Sequence, residues 1–396
     1  MAKRIVFCAD GTWNGPEEQT RVNAIDDNDE HGEPDAQITN VVKLFANLAG
    51  AATPETLSLH NEQERVLVDR GGMTVQVVKY MHGVGDSSNM IKKVLGGVLG
   101  MGVVARVVRG YTFVSRFYEP GDDIYITGFS RGAYTARALG GMIAGVGLLN
   151  RATYDPTDKK EAYRLGLAAW CKHKGISLGN AGKLTDIADR LLNFVAGFFA
   201  RELPKDGLVA NVPIKCVGVW DTVGSLGIPV YAADGRYDVF RFTDTALSPK
   251  VERGFHAMAI DELRADFPVT RWDDRVGVRQ VWFAGAHSDV GGGYAPDECG
   301  LSDVALDWMM RQLHEVGVLL TTPLSHVPDT AHAGQSLHEP WAKFPFSTLL
   351  HDPRQVRASD IIHDTVVSRW QAGASYRPAA LRAFAQTGLG ALRHET

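Results

Sequence analysis

The sequence predicts a doubly wound α/β fold on a mostly parallel sheet, and three observations predict it. Short runs rich in Val, Ile, Phe and Tyr recur at Arg4–Cys8, Val75–Met81, Asp123–Thr127, Ile214–Trp220 and Arg279–Ala284, with the length and composition of buried strands. Segments of helical apolar spacing lie between them, at Thr39–Leu48, Ile91–Tyr118, Arg131–Gly145 and Glu252–Leu263. This is the alternation a parallel sheet needs, because each crossover takes a helix. Four of the five runs end in polar, glycine-flanked residues, and open sheets of this kind bind ligands beyond the carboxyl ends of their strands.

Two stretches interrupt the alternation. Asn14–Gln37 is acidic and turn-rich, and residues 150–211 form the candidate cap inserted within one catalytic unit spanning residues 1–396. The cap region holds helix-like pieces at Lys159–Lys172 and Leu184–Leu203. The second carries Phe194, Phe198 and Phe199 on a broad apolar face, which serves either core packing or contact with lipid. From Leu301 the chain reads as one helix, then an irregular Pro- and His-rich tract, then scattered helical pieces.

Charge and cysteines exclude several classes. A net charge of −5 lacks the basic footprint of a nucleic-acid binder. Cys8, Cys171, Cys216 and Cys299 show no CxxC spacing, so neither a zinc site nor a disulfide framework is expected. The apolar run at the N-terminus ends at Asp10, too early for a secretory signal. The uncharged stretch Val94–Ala105 is too short to span a bilayer. Cytoplasmic synthesis is therefore expected, with room for export by a system that reads no N-terminal signal. Composition does not fix the oligomeric state.

The chemistry concentrates in a few motifs. Gly128-Phe129-Ser130-Arg131-Gly132 is a G-x-S-x-G pattern directly after a strand and before a helix, the context of a nucleophile elbow in an α/β-hydrolase-like sheet. Gly128 and Gly132 give the turn room, and the helix N-terminus favours developing negative charge. A serine hydroxyl needs a base, and the base needs a carboxylate to fix its tautomer.

Of the 13 histidines, His287 follows a strand and sits in a glycine-rich loop. His82 and His363 are the other candidates, but His82 precedes the serine, against the order serine, acid, histidine usual for this fold, and His363 lies in a helix-like setting. Asp221, just past the fourth strand, is the expected acid. Asp289 competes, although an aspartate so near His287 is also placed to brace its own turn. The oxyanion donors are expected at the Arg131 amide and on an early loop at Gly11 and Thr12, with Asp10 organising the turn. No phosphate-loop pattern occurs.

Six motifs taken together, FCADGTWN, YMHGVG, TGFSRGAYTAR, VGVWDTVGSLG, FHAMAIDELRADF and VWFAGAHSDVGGGY, resemble the DUF2235 family, the catalytic domain of Tle1-like phospholipase effectors of type VI secretion. The resemblance runs from Arg4 to Trp308. It implies an α/β-hydrolase fold with a Ser-Asp-His triad at Ser130, Asp221 and His287, acting on membrane phospholipids. The expected activity is carboxylic-ester hydrolysis through an acyl-enzyme, without metal or cofactor, with peripheral membrane contact through the cap. The alternatives are an esterase acting on a polyester or an acetylated glycan, and a catalytically silent hydrolase fold used for binding.

Overall fold

The computed structural model describes residues 2–11, 38–52, 62–83, 98–175, 202–223, 230–232, 235–237, 246–265, 267–343, 346–348, 350–373 and 375–396. Among these residues the strands are β1 Arg4–Ala9, β2 Ala51–Ala52, β3 Glu62–Val68, β4 Thr74–Met81, β5 Asp123–Phe129, β6 Leu148–Leu149, β7 Leu208–Val209, β8 Ile214–Trp220, β9 Val230–Ala232, β10 Gly235–Tyr237, β11 Val251–Ala259, β12 Val278–Phe283, β13 Ile361–His363 and β14 Arg393–Glu395. Ten of them form one sheet in the order β14-β13-β12-β11-β8-β5-β1-β4-β3-β2. Every pairing from β14 to β4 is parallel. At one edge β3 pairs antiparallel with both β4 and β2, so β3 alone in this sheet runs against the others.

Among the described residues the α-helices are α1 Asn40–Asn47, α2 Val98–Phe117, α3 Arg131–Val146, α4 Lys159–Lys174, α5 His287–Gly291, α6 Gly300–Glu315 and α7 Asp364–Ala372. They divide between the two faces of the sheet. Ile5, Phe7, Ile124 and Ile126 point to the layer of α2, α3 and α4, where they meet Val107, Leu139 and Leu165. Val6, Cys8, Tyr125 and Trp220 point to the other layer, where they meet Leu44 and Phe45 of α1 and Trp308 and Met309 of α6. Burial on both faces is why these strands read as unbroken apolar runs. Local signals set the helix ends: Thr39 Oγ1 accepts from Val42 N at 3.3 Å ahead of α1, and Asp158 caps α4 through Lys160 N and Glu161 N.

The five expected strands appear within two residues of their expected bounds. The structure corrects the helix expected at Glu252–Leu263, which is the strand β11. It pairs with β8 on one side and β12 on the other, and its last six residues are all buried. A doubly covered strand has no alternation to read, so its apolar spacing mimicked that of a helix. A second correction falls at the C-terminus, where β13 and β14 extend the sheet in a region read as helical pieces only.

Within the expected cap, α4 buries Leu165, Ala169 and Cys171 in the main core. Phe194, Phe198 and Phe199 lie outside the described residues, as does Asn14–Gln37.

Candidate active site

The parallel strands deliver Asp10, Ser130, Asp221 and His287 to one rim, from the neighbouring strands β1, β5 and β8 and from β12. Ser130 alone joins β5 to α3, with φ 55° and ψ −122°, a conformation that costs an L-residue energy and so needs a close-packed frame to hold it. Two glycines supply that frame. A Cβ on Gly128 would overlap the Gly132 carbonyl, and a Cβ on Gly132 would overlap the carbonyl of Ala9 in β1. The Ser130 amide donates to Trp220 O at 3.2 Å, fixing the turn to β8. Its hydroxyl makes no capping bond to α3.

Asp221 follows β8 with φ 31°, and its carboxylate is wholly buried. Oδ2 lies 2.6 Å from His287 Nδ1 and accepts from Arg354 Nη2 at 3.1 Å, while Oδ1 accepts from Ala259 N at 3.0 Å. Burial works to raise its pKa. The Arg354 guanidinium, the His287 hydrogen bond and the Ala259 amide outweigh it and hold the carboxyl well below the usual carboxylate range. An ionised carboxylate only accepts, so Nδ1 is the donor in this contact. Nε2 is buried and has no hydrogen-bond partner among the described residues. The ring is held between Phe129, the residue before Ser130, at 4.6 Å between centroids, and Phe267 at 5.2 Å in an edge-on pose.

A further set of polar groups fixes the His287 loop. The His287 amide donates to Glu262 Oε2 at 3.2 Å, and Glu262 holds Arg264 through both oxygens at 2.9 and 2.8 Å. Burial opposes ionisation of Glu262, but Arg264 overcomes it and lowers its pKa. Asp261 Oδ2 accepts from Gly285 N at 2.7 Å and from the Tyr376 hydroxyl at 2.9 Å; burial pushes this carboxyl up to about 6. His256 Nε2 accepts from Thr222 N at 3.1 Å. Burial, then Arg137, pushes His256 down to about 3, which keeps it neutral.

The competing residues go elsewhere. Asp289 accepts from the Ala286 amide at 2.9 Å and lies 2.6 Å from His338 Nδ1, so it braces the loop. His82 Nδ1 lies 3.2 Å from the Tyr80 hydroxyl. His363 ends β13, caps α7 through Thr365 N and stacks on Phe283 at 4.6 Å. Asp10 accepts from Gly11 N at 2.6 Å, Thr39 Oγ1 at 2.9 Å and Tyr80 at 2.7 Å.

The Gly11 amide, expected as an oxyanion donor, donates to Asp10 Oδ1 in this structure. What Gly11 contributes is the lack of a side chain, since a Cβ there would come within 3.2 Å of Ser130 Cβ. Thr12 lies outside the described residues. The Arg131 amide opens α3 beside Ser130, and burial together with Arg106 depresses the Arg131 guanidinium to about 9.

Three participants escaped the sequence reading. Asp261 and Glu262 stand inside a quoted motif, where adjacent acids ahead of Arg264 were a usable signal. Arg354 had none, being 133 residues from its partner. Among the described residues no three His, Cys, Asp or Glu side chains are grouped to hold a metal, and no helix is long and apolar enough to cross a membrane.

The family model described as "T6SS, Phospholipase effector Tle1-like, catalytic domain" matches residues 3–312. The chain belongs to this family. Among curated proteins, a stretch of 214 residues is 27% identical to the uncharacterized protein YEL023C of Saccharomyces cerevisiae, covering 51% of this chain and 28% of that protein. Two solved structures align with a TM-score of 0.37: a Tle1 effector bound to the VgrG spike of a type VI secretion system, 18% identical over 74% of this chain and 51% of that chain, and an uncharacterized protein from Pseudomonas aeruginosa, 21% identical over 87% and 49%. The Tle1-like chain thus spans about half the length of the solved chains and under a third of the yeast protein.

Proposed function

We propose that this member of the Tle1-like family is a serine hydrolase of the α/β-hydrolase type that cleaves carboxylic esters, with phospholipids as the substrate class. The observation that carries the reading is the His287–Asp221 contact of 2.6 Å, made with Nε2 buried, unpartnered among the described residues and ringed by Phe129 and Phe267. His256 Nδ1 and His363 Nε2 are also buried without a partner among the described residues, so the open nitrogen alone does not single out His287. Of the three, His287 is the one that holds a carboxylate on its other nitrogen and packs against the residue before Ser130, which suits it to act as the base.

In this reading the Ser130 hydroxyl attacks the acyl carbonyl carbon and its proton passes to His287 Nε2. Asp221 stabilises the imidazolium without taking the proton. The Arg131 amide, at the positive end of α3, stabilises the oxyanion. Collapse of the tetrahedral intermediate expels the alcohol, which leaves with the proton from Nε2. Water, deprotonated by His287, then releases the carboxylic acid and restores Ser130. In this reading Phe194, Phe198 and Phe199 are the residues that meet lipid, and export by the type VI route fits the family's description.

The decisive variant is Ser130→Ala, which should lower turnover of p-nitrophenyl esters and of phospholipid vesicles by several orders of magnitude with unfolding unchanged. Turnover retained by that variant would refute the assignment.

A further inference from the structure

The matched family region stops at residue 312, yet a later segment reaches the candidate active site. Residues 350–354 lie along the stretch after β11: Ala265 N donates to Leu350 O at 3.1 Å, Asp352 N donates to Leu263 O at 2.8 Å, and Arg264 and His351 form an antiparallel bridge. Phe346, just upstream, packs edge-on against Phe267, whose ring meets His287, with 6.1 Å between the phenylalanine centroids. This strap is pinned to the same chain stretch that braces the His287 loop through Glu262. It ends by inserting Arg354, nearly fully buried, against the carboxylate oxygen that also meets His287 Nδ1.

We infer that the strap is a built-in part of the active site and that Arg354 is a positioning residue, whose fixed positive charge behind Asp221 keeps His287 unprotonated, and therefore competent as a base, to lower pH than an Asp-His pair alone would allow. This rests on the reading of Asp221 and His287 as the catalytic pair.

The physical reason is charge balance in a buried site. A lone carboxylate stabilises the neighbouring imidazolium and raises its pKa, whereas a guanidinium on the same oxygen offsets much of that field. The other acids around the His287 loop are either paired with a cation or held back from ionising. Glu262, at its amide, is paired with Arg264 in a short buried bridge, and Asp289 of α5 is paired with His338. Asp261, on Gly285 N, has its ionisation opposed by burial. Among the described residues Arg354 has no such counterweight besides Asp221, and its Nη1 is buried without a partner.

The same geometry has a mechanical consequence. Arg354 and Ala259 N grip Asp221 from two sides, so the carboxylate cannot rotate away from Nδ1 without abandoning a buried cation.

The test is the pH profile of kcat/KM for a p-nitrophenyl ester with the full chain. Arg354→Met should move the acidic limb upward by about one pH unit or more, the shift expected for losing a charge within several ångströms in a buried site. Arg354→Lys, which keeps the charge and loses the fork, should return the limb close to its original position while kcat stays lowered. An acidic limb that stays put in the methionine variant, with only a uniform loss of rate, would overturn the inference and leave Arg354 a purely structural residue. If Arg354→Met does not fold, Arg354→Gln supplies the neutral comparison. An NMR titration of His287 in Ser130→Ala with and without Arg354→Gln reads the same shift without turnover, and equal titration midpoints there also count against the inference. Full activity in Ser130→Ala would overturn the hydrolase reading alone, since the His287 titration still answers for Arg354.

Discussion

Replacing Asp221 by asparagine removes the negative charge at the point where three donors converge. In the native site Oδ2 receives His287 and Arg354, and Oδ1 receives the Ala259 amide. The new carboxamide can keep the Ala259 contact through its oxygen, but its NH2 then confronts two donors. His287 has to turn Nδ1 into an acceptor, which moves the ring proton to Nε2 and removes the lone pair that the serine proton needs. Loss of the base should cost about 10³–10⁴ in kcat/KM, or roughly 4–5.5 kcal/mol of transition-state stabilisation.

The buried Arg354 also loses its counter-charge, and orphaning one member of such a pair costs about 3–5 kcal/mol of stability. The two losses separate in the double variant Asp221→Asn with Arg354→Met. Stability measured by chemical denaturation should recover in large part, because the uncompensated cation is gone, whereas ester turnover should not. An Asp221→Asn protein within ten-fold of native kcat/KM, or a double variant that regains activity along with stability, would show that the carboxylate does not serve His287 in the way described.

Asp261 and the elbow give further tests. The folded pKa of Asp261 is raised from 3.8 to about 6, so the unfolded chain ionises first. Between those values rising pH removes stability, by about 3 kcal/mol at most, and the loss is complete above about pH 6. The difference in unfolding free energy between the native protein and Asp261→Asn should follow that slope, and a difference independent of pH from 4 to 7 would contradict the raised pKa. Gly132→Ala should fail to fold or lose several kcal/mol, because its methyl group would meet the backbone of Ala9 and Asp10 rather than a side chain that could move. A stable and active Gly132→Ala enzyme would mean that the turn is looser than its packing implies.

The sequence by itself determined the elements whose signals are local. Strand runs flanked by glycine, the helix starts at Thr39 and Asp158, and the serine between Gly128 and Gly132 all act through neighbours a few residues away, where backbone sterics and capping operate. It also ordered serine, acid and histidine along strands that, being parallel, must release them at one rim. Tertiary structure decided the remainder. β11 is a strand because β8 and β12 enclose it, a fact that its own periodicity cannot carry. Asp221 rather than Asp289 meets His287 because Asp289 is already engaged by Ala286 and His338. The Gly11 amide is turned to Asp10 by a bond that no composition reveals. Arg354 is the extreme case: one arginine in an irregular tract, it acquires meaning only when the strap places its charge on a carboxylate 133 residues away. Buried charges find their partners through space, and hydrophobic and turn patterns, which record only local preference, hold no trace of that pairing.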